Sequence, residues 1–453
     1  MTFSEVRFVV AIILTLIFSA TLNKRTGYLH TFCAILIVYI TFDYLQMAYV
    51  CTALIINLSL LFIFHLKEYP LTVVNFLILY IFKLKGKDFE PKIVGTCDIS
   101  GVLMLTTIKM SYLGKEYDRK KHKISDVIGY LLFIPGLILG PTCTFLEFVE
   151  TPYPIEVSSP LPTLGISFIF LVLLKTFQKY YPVDILYDSN INLGHKLLNI
   201  YFFNLGQRCK FYFVWHYSNG CYLLQGFNDM LNIKFFEVET ARSIKDLSQG
   251  WNIKTNRWLK ECYFDKLKNR SIFWASFVTF TVSALWHGIK PGYLIMFLSF
   301  CFAIPVLKGI NTLMLAYIPF AFPVLSRIQM VLFTMYFCIP FFLLEVPNLM
   351  FVWRREYKII DILNISESLL NQKNSTNNPN SKMYDVYKSV LESDSKKYVV
   401  YFLDDIEIGS QSVIQIVKNM EFPLLYKDDY KIVHKTDYCT NTKLIESLLN
   451  KIE

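Results

Sequence analysis

Several chemical signatures are missing from these 453 residues, and each gap narrows what the chain can do. The ten cysteines, at positions 33, 51, 97, 143, 209, 221, 262, 301, 338 and 439, include no C-x-x-C pair and no regular spacing. Neither a zinc site nor a disulfide framework is indicated, and the thiols read as small core residues. His30, His65, His195, His216 and His434 show no metal-ligand pattern, so no metal is expected. No G-x-S-x-G element occurs, which leaves a serine nucleophile on a strand-to-helix turn unsupported. One half of the chain does not repeat in the other, which weakens a transporter or channel reading.

What is there is apolar. Hydrophobic residues make up 54% of the chain, with 39 Phe and 29 Tyr, too apolar for an ordinary soluble protein. The excess sits in runs that reach or approach the roughly 20 residues needed to cross a bilayer. Runs are expected near 6–22, 28–43, 46–65, 69–82, 95–113, 127–149, 161–178, 196–225, 271–288, 291–318 and 322–349. The fold class that follows is all-α, a polytopic transmembrane bundle of roughly 9–11 segments. Val6–Leu22 reads as an uncleaved first helix, because its start is barely basic and further runs follow at once.

The formal net charge is +9, and from Arg354 onward 14 basic residues face 15 acidic ones, so the surplus belongs to the membrane portion. That placement suits positive-inside topology and an anionic lipid surface or co-substrate better than nucleic acid. Lys83, Lys85 and Lys87 precede the 95–113 run, and Lys115, Arg119, Lys120, Lys121 and Lys123 follow it. Both connectors cannot be cytoplasmic if 95–113 simply crosses, so a re-entrant or protein-buried piece is expected there. Gly136, Gly140 and Pro141 would kink the 127–149 run. Residues 196–225 carry Asn204, Gln207, Arg208, Lys210, His216 and Asn219 among aromatics, which suggests a pair of short interfacial or cavity-lining helices.

The chain is organised around residues 251–297. Read as a helix, Ile272–Gly288 places Thr279, Ser283 and His287 on one polar stripe, which must face protein or water. A lone histidine on such a face is usually structural, but this one stands in Trp286-His287-Gly288-Ile289-Lys290-Pro291-Gly292-Tyr293, about 35 residues after Trp251-Asn252 through Trp258-Leu259. These elements, with Asp98-Ile99-Ser100-Gly101 and Gly140-Pro141 upstream, resemble the membrane-bound O-acyltransferase superfamily, its lysophospholipid acyltransferase branch in particular. The resemblance spans roughly residues 1–353.

It implies a helical bundle enclosing a reaction chamber in an endoplasmic-reticulum-type membrane, with Gly136, Gly140 and Pro141 in its wall. The reaction implied is transfer of a fatty acyl group from acyl-CoA, a co-substrate rather than a resident cofactor, to a lysophospholipid hydroxyl. In that reading His287 is the general base, and Asn252 assists by holding charge that develops on the thioester carbonyl. Trp251, Trp258, Ser283, Trp286 and Tyr293 are substrate-binding candidates beside that pair. Lys254, Arg257 and Lys260 are candidates for the phosphates of the carrier, within a connector (231–270) that carries nine basic residues against five acidic. The H-x-x-x-x-D pair of the other large glycerolipid acyltransferase family is missing; His122 precedes Asp126 by only four residues. Other acceptors left open are a secreted protein's serine, a sterol or diacylglycerol, and a pathway-lining histidine in a transporter is the reading from a different class.

Composition changes beyond Trp353. Residues 354–382, with the asparagine-rich tract Asn371–Ser381, read as a linker. Residues 383–453 are expected to be a small appendage, α/β or disordered, with no motif that suggests chemistry.

Overall fold

The computed structural model describes residues 3–22, 26–42, 44–84, 99–151, 158–187 and 193–356. Asp98, most of the linker and the whole of the appendage lie outside them. The chain opens with α1 (Phe3–Thr21), α2 (Tyr28–Thr41), α3 (Tyr44–Phe62) and α4 (Glu68–Leu84). Next come α5 (Ser100–Glu116), two short pieces, α6 (Ile124–Leu131) and α7 (Phe145–Glu150), and the long pair α8 (Leu161–Tyr180) and α9 (Leu193–Leu224). The basic connector folds as α10 (Phe235–Glu239), α11 (Ile244–Gly250) and α12 (Ile253–Leu259), which runs through a π turn (Lys260–Phe264) into α13 (Asp265–Leu267). After it stand α14 (Ile272–His287), α15 (Pro291–Tyr317), α16 (Phe322–Phe337), α17 (Ile339–Leu343) and α18 (Val346–Glu356). Among the described residues the extended pairing is confined to one bridge, Ile233 to Trp251.

This is an all-α polytopic membrane fold. Tyr44–Phe62, Leu161–Tyr180, Pro291–Tyr317 and Phe322–Leu343 are long and apolar enough to cross a bilayer by length and composition, and Val6–Thr21, Tyr28–Thr41 and Ile272–His287 are shorter apolar helices. Their outer faces are exposed and greasy: Ile13 and Ile17 on α1, Phe168 and Val172 on α8, Phe302 and Val306 on α15. Such surfaces belong against hydrocarbon. By contrast α5 is buried without a break from Thr107 to Gly114, so this half of α5 is enclosed by protein rather than by lipid; residues 95–98 of the expected run lie outside the described residues.

Three expected runs fold differently. Residues 127–149 are not one span: α6 ends at Leu131, and an irregular stretch carries the chain to α7. Pro135 and Pro141 lack amide donors, and the Gly140–Pro141 peptide is cis, with Gly140 at φ +60. Backbone of this kind is tolerated deep in a membrane protein when side chains satisfy it. Here they do. Lys109 Nζ donates to the Leu131 carbonyl (2.9 Å), Ser218 Oγ to Pro135 (2.8 Å), Tyr222 Oη to Pro141 (2.8 Å) and Tyr130 Oη to Cys143 (2.8 Å).

Residues 196–225 form one continuous helix rather than two short ones, because their polar side chains find partners inside the protein. Arg208 holds Glu239 with two bonds of 2.7 and 2.8 Å, and Thr163 lies between His216 and Asn219. Gly206 and Gly220 let α8 lie close against α9, since a Cβ on Gly206 would stand 2.7 Å from the Phe177 Cβ. Finally, the 322–349 run breaks after α16 and again at Leu344, which takes φ +59.

Candidate active site

Ser271 starts α14 by accepting the Trp274 amide hydrogen on its Oγ (3.3 Å), and Gly288, at φ +141, stops it. His287 is therefore the last helical residue, and Pro291 opens α15 four residues later. That reversal folds Tyr293 and Phe297 back onto the imidazole, with ring centroids at 5.6 and 5.3 Å. Trp286 (4.9 Å) and Phe341 of α17 (5.0 Å, edge-on) close two further sides. Among the described residues no protein group hydrogen-bonds the imidazole nitrogens, so they remain available to a substrate. The sequence does not single out Phe297 and Phe341, because phenylalanine is too common in this chain for two of them to stand out.

Asn252 caps α12 from the left-handed region, at φ +50 and ψ +49, which asparagine tolerates better than most residues. Its Oδ1 accepts from the Nδ2 of the buried Asn232 (2.9 Å). The same Asn232 accepts the Lys254 amide hydrogen on its Oδ1 (2.7 Å) and the Ile253 amide hydrogen on its carbonyl (2.9 Å). Asn232 thus fixes both the backbone and the amide face of Asn252, a role no motif announced. No hydrogen bond or ring contact joins Asn252 to His287. Their helices meet through Trp258 and Trp286, whose ring centroids lie 6.3 Å apart in one buried cluster with Ile108, Tyr112, Leu259 and Cys262.

The other expected substrate contacts lie in different surroundings. Tyr293 lies beside the imidazole. Trp258 is fully buried and donates its indole N–H to Ser111 Oγ (3.0 Å), and Trp286 donates to the Met104 carbonyl (2.9 Å), so both motif indoles tie the site to α5. Trp251 packs on Phe211 and Trp215 of α9, at 5.3 and 5.4 Å between centroids, and Ser283 is buried one turn before His287.

Two of the three expected phosphate contacts are engaged within the protein. Lys254 is buried and pairs with the exposed Asp229 (3.2 Å). Arg257 bridges Glu147 (2.6 Å) and Glu261 (2.9 Å), and Lys115 joins the same Glu261 (3.1 Å). Burial alone would raise the Glu147 carboxyl, but the Thr144 amide and the Arg257 guanidinium outweigh it and hold it below the ordinary range. Lys260 is exposed and enters no ion pair among the described residues.

An apolar helical bundle that sets His287 among aromatic rings at a helix end defines a polytopic membrane protein with a histidine-centred candidate site. Residues 13–346 match the membrane-bound O-acyltransferase family, and the chain belongs to that family. It is similar to membrane-bound glycerophospholipid O-acyltransferase 1 of Homo sapiens, 26% identical over 264 residues, which are 45% of this chain and 52% of that protein. Similarity to the lysophospholipid acyltransferase of Schizosaccharomyces pombe is 26% over 294 residues, 54% of this chain and 58% of the relative. The lysophospholipid acyltransferase of Saccharomyces cerevisiae matches at 29% over 149 residues, 28% of this chain and 24% of the relative. The chain spans about half the length of the first two relatives.

Proposed function

We propose that the chain transfers a fatty acyl group from acyl-CoA to the free hydroxyl of a lysophospholipid within an endoplasmic-reticulum-type membrane. The observation that carries the reading is the His287 imidazole, held among aromatic rings at the end of an apolar helix with no hydrogen-bond partner on its nitrogens among the described residues. The relatives' names support the acceptor class. In this reading a neutral imidazole nitrogen takes the hydroxyl proton as the oxygen attacks the thioester carbonyl carbon. The resulting oxyanion accepts from an amide hydrogen of Asn252, whose Oδ1 is already committed to Asn232. Collapse breaks the C–S bond, and the imidazolium returns its proton to the departing thiolate. The aromatic surround keeps water from competing for the thioester.

The test is acyl-CoA-dependent consumption of lysophospholipid by the purified chain, across a panel of head groups and acyl chains. His287→Ala should lower turnover by about two to four orders of magnitude with membrane insertion unchanged. A variant that kept wild-type transfer would remove His287 from the base role, whereas absence of any lysophospholipid consumption by the wild type would remove the acceptor class.

A further inference from the structure

Because α14 ends at His287, the carbonyls of its last turn have no helical amide to accept from, and another group must supply donors. The Gly288 amide returns only to Ala284 (3.1 Å). Leu285 and His287 are served from elsewhere in the chain, by α4. The Tyr80 hydroxyl donates to the Leu285 carbonyl at 2.9 Å, and Lys83 Nζ donates to the His287 carbonyl. Tyr80 and Lys83 are three residues apart, which places them on one face of α4. The lysine passes close to Gly288, where a Cβ would stand 3.2 Å from both its Cδ and its Nζ, and its ammonium lies 5.9 Å from the centre of the Tyr293 ring. A glycine after His287 therefore does two things: it stops the helix and leaves room for the lysine stem.

We propose that Tyr80 and Lys83 are a positioning clamp that fixes the C-terminal turn of α14 and with it the direction of the His287 imidazole. The inference rests on His287 being the base. Helix ends fray, and a base carried on the final helical residue would wander with the fraying. Two donors from a separate helix arrest that motion. The cation is also the favourable charge at a helix C-terminus, where the backbone dipoles present partial negative charge. The gain is geometric, since displacing a catalytic group by about 1 Å can cost about a hundredfold in rate. Lys83 would otherwise count only as one positive charge in a connector that orients the chain in the membrane. Its ammonium is held at the site instead.

The full-length chain is compared with Tyr80→Phe, Lys83→Met and Lys83→Arg, using oleoyl-CoA and the lysophospholipid that the wild type acylates fastest. Tyr80→Phe removes one oxygen and keeps the ring packing, so it guards against a variant that merely misfolds. Lys83→Met should lower kcat about ten- to a hundredfold and Tyr80→Phe several-fold, with the KM for each substrate changed less than about twofold. Lys83→Arg should recover most of the loss, because a guanidinium can reach the same carbonyl. In a His287→Ala background neither substitution should lower the residual rate further. Amide exchange of the 284–289 segment, which does not depend on activity, should speed up in Tyr80→Phe and Lys83→Met. Unchanged exchange overturns the clamp, and so does an unchanged kcat or an equal loss in the His287→Ala background. Should His287→Ala retain transfer while exchange still speeds up, the clamp stands as geometry and the base assignment is what fails.

Discussion

At the scale of single residues, Asn252 depends on one neighbour for its orientation. Asn232 donates to the Asn252 Oδ1 and accepts the Lys254 amide hydrogen, and both bonds are lost if the side chain becomes apolar. Asn232→Asp is the more informative change. A carboxylate still accepts the Lys254 amide hydrogen but cannot donate, so the Asn252 amide should turn its own N–H groups toward the new acceptor. Removal of one such donor from an acyl-transfer site costs about a hundredfold in kcat, and that is the loss expected here. Thermal stability should fall less than in Asn232→Leu, which leaves a buried amide hydrogen unpaired at about 1–3 kcal/mol. Wild-type kcat in Asn232→Asp would detach Asn252 from the chemistry. His287 and Asn252 could be singled out because the residues around them form a pattern along the chain. Asn232 could not, since its importance arises when a loop 20 residues away folds onto it.

At the scale of elements, Gly292 shows how a helix start can shape a site. Its amide donates to the Leu344 carbonyl at 2.9 Å, and a Cβ there would stand 2.7 Å from the Leu344 Cα. Contact this close brings the first turn of α15 against the end of α17, and α17 carries Phe341 to the imidazole. Gly292→Ala must separate the two elements, so both stability and turnover should fall, the former by about 1–3 kcal/mol as for other overpacked sites. A melting temperature equal to wild type would show that the contact yields without consequence. The apolar runs announced most helices, because length and hydropathy are properties of a segment. The breaks were harder to read. Residues 127–149 are as apolar as a span, and the side chains that make their irregular path tolerable, Ser218 and Tyr222, lie some 80 residues away. Likewise the polar residues of α9 read along the chain as interfacial or cavity-lining, because their partners Glu239 and Thr163 are brought to them only by the fold.

At the scale of the whole molecule, the count of 45 Lys and Arg overstates how much free positive charge an anionic co-substrate could meet. Arg257, Lys254, Lys115, Lys266 and Lys268 are each paired with a carboxylate. The connector's basic residues therefore act on two levels, Arg257 and Lys266 joining it to α7 and α4, others facing solvent. Arg257 and Lys260 stand three residues apart and belong to different classes: one ends on Glu147 and Glu261, the other is exposed and enters no ion pair among the described residues. If the connector docks acyl-CoA, steering should come from the solvent-facing set and weaken with salt. Lys260→Gln should then raise the KM for acyl-CoA about two- to fivefold at low ionic strength, the range of a single exposed charge, with the lysophospholipid KM unchanged and the difference fading at high salt. Arg257→Gln should instead lower thermal stability, because it leaves Glu147 and Glu261 without their shared cation. Membrane orientation must be checked in both variants, since each removes a positive charge from a connector, and such charges influence topology. An acyl-CoA KM that ignores Lys260→Gln at every salt concentration would move the phosphate site off this residue, with the basic turn between α5 and α6 at Arg119–Lys123 the next to test.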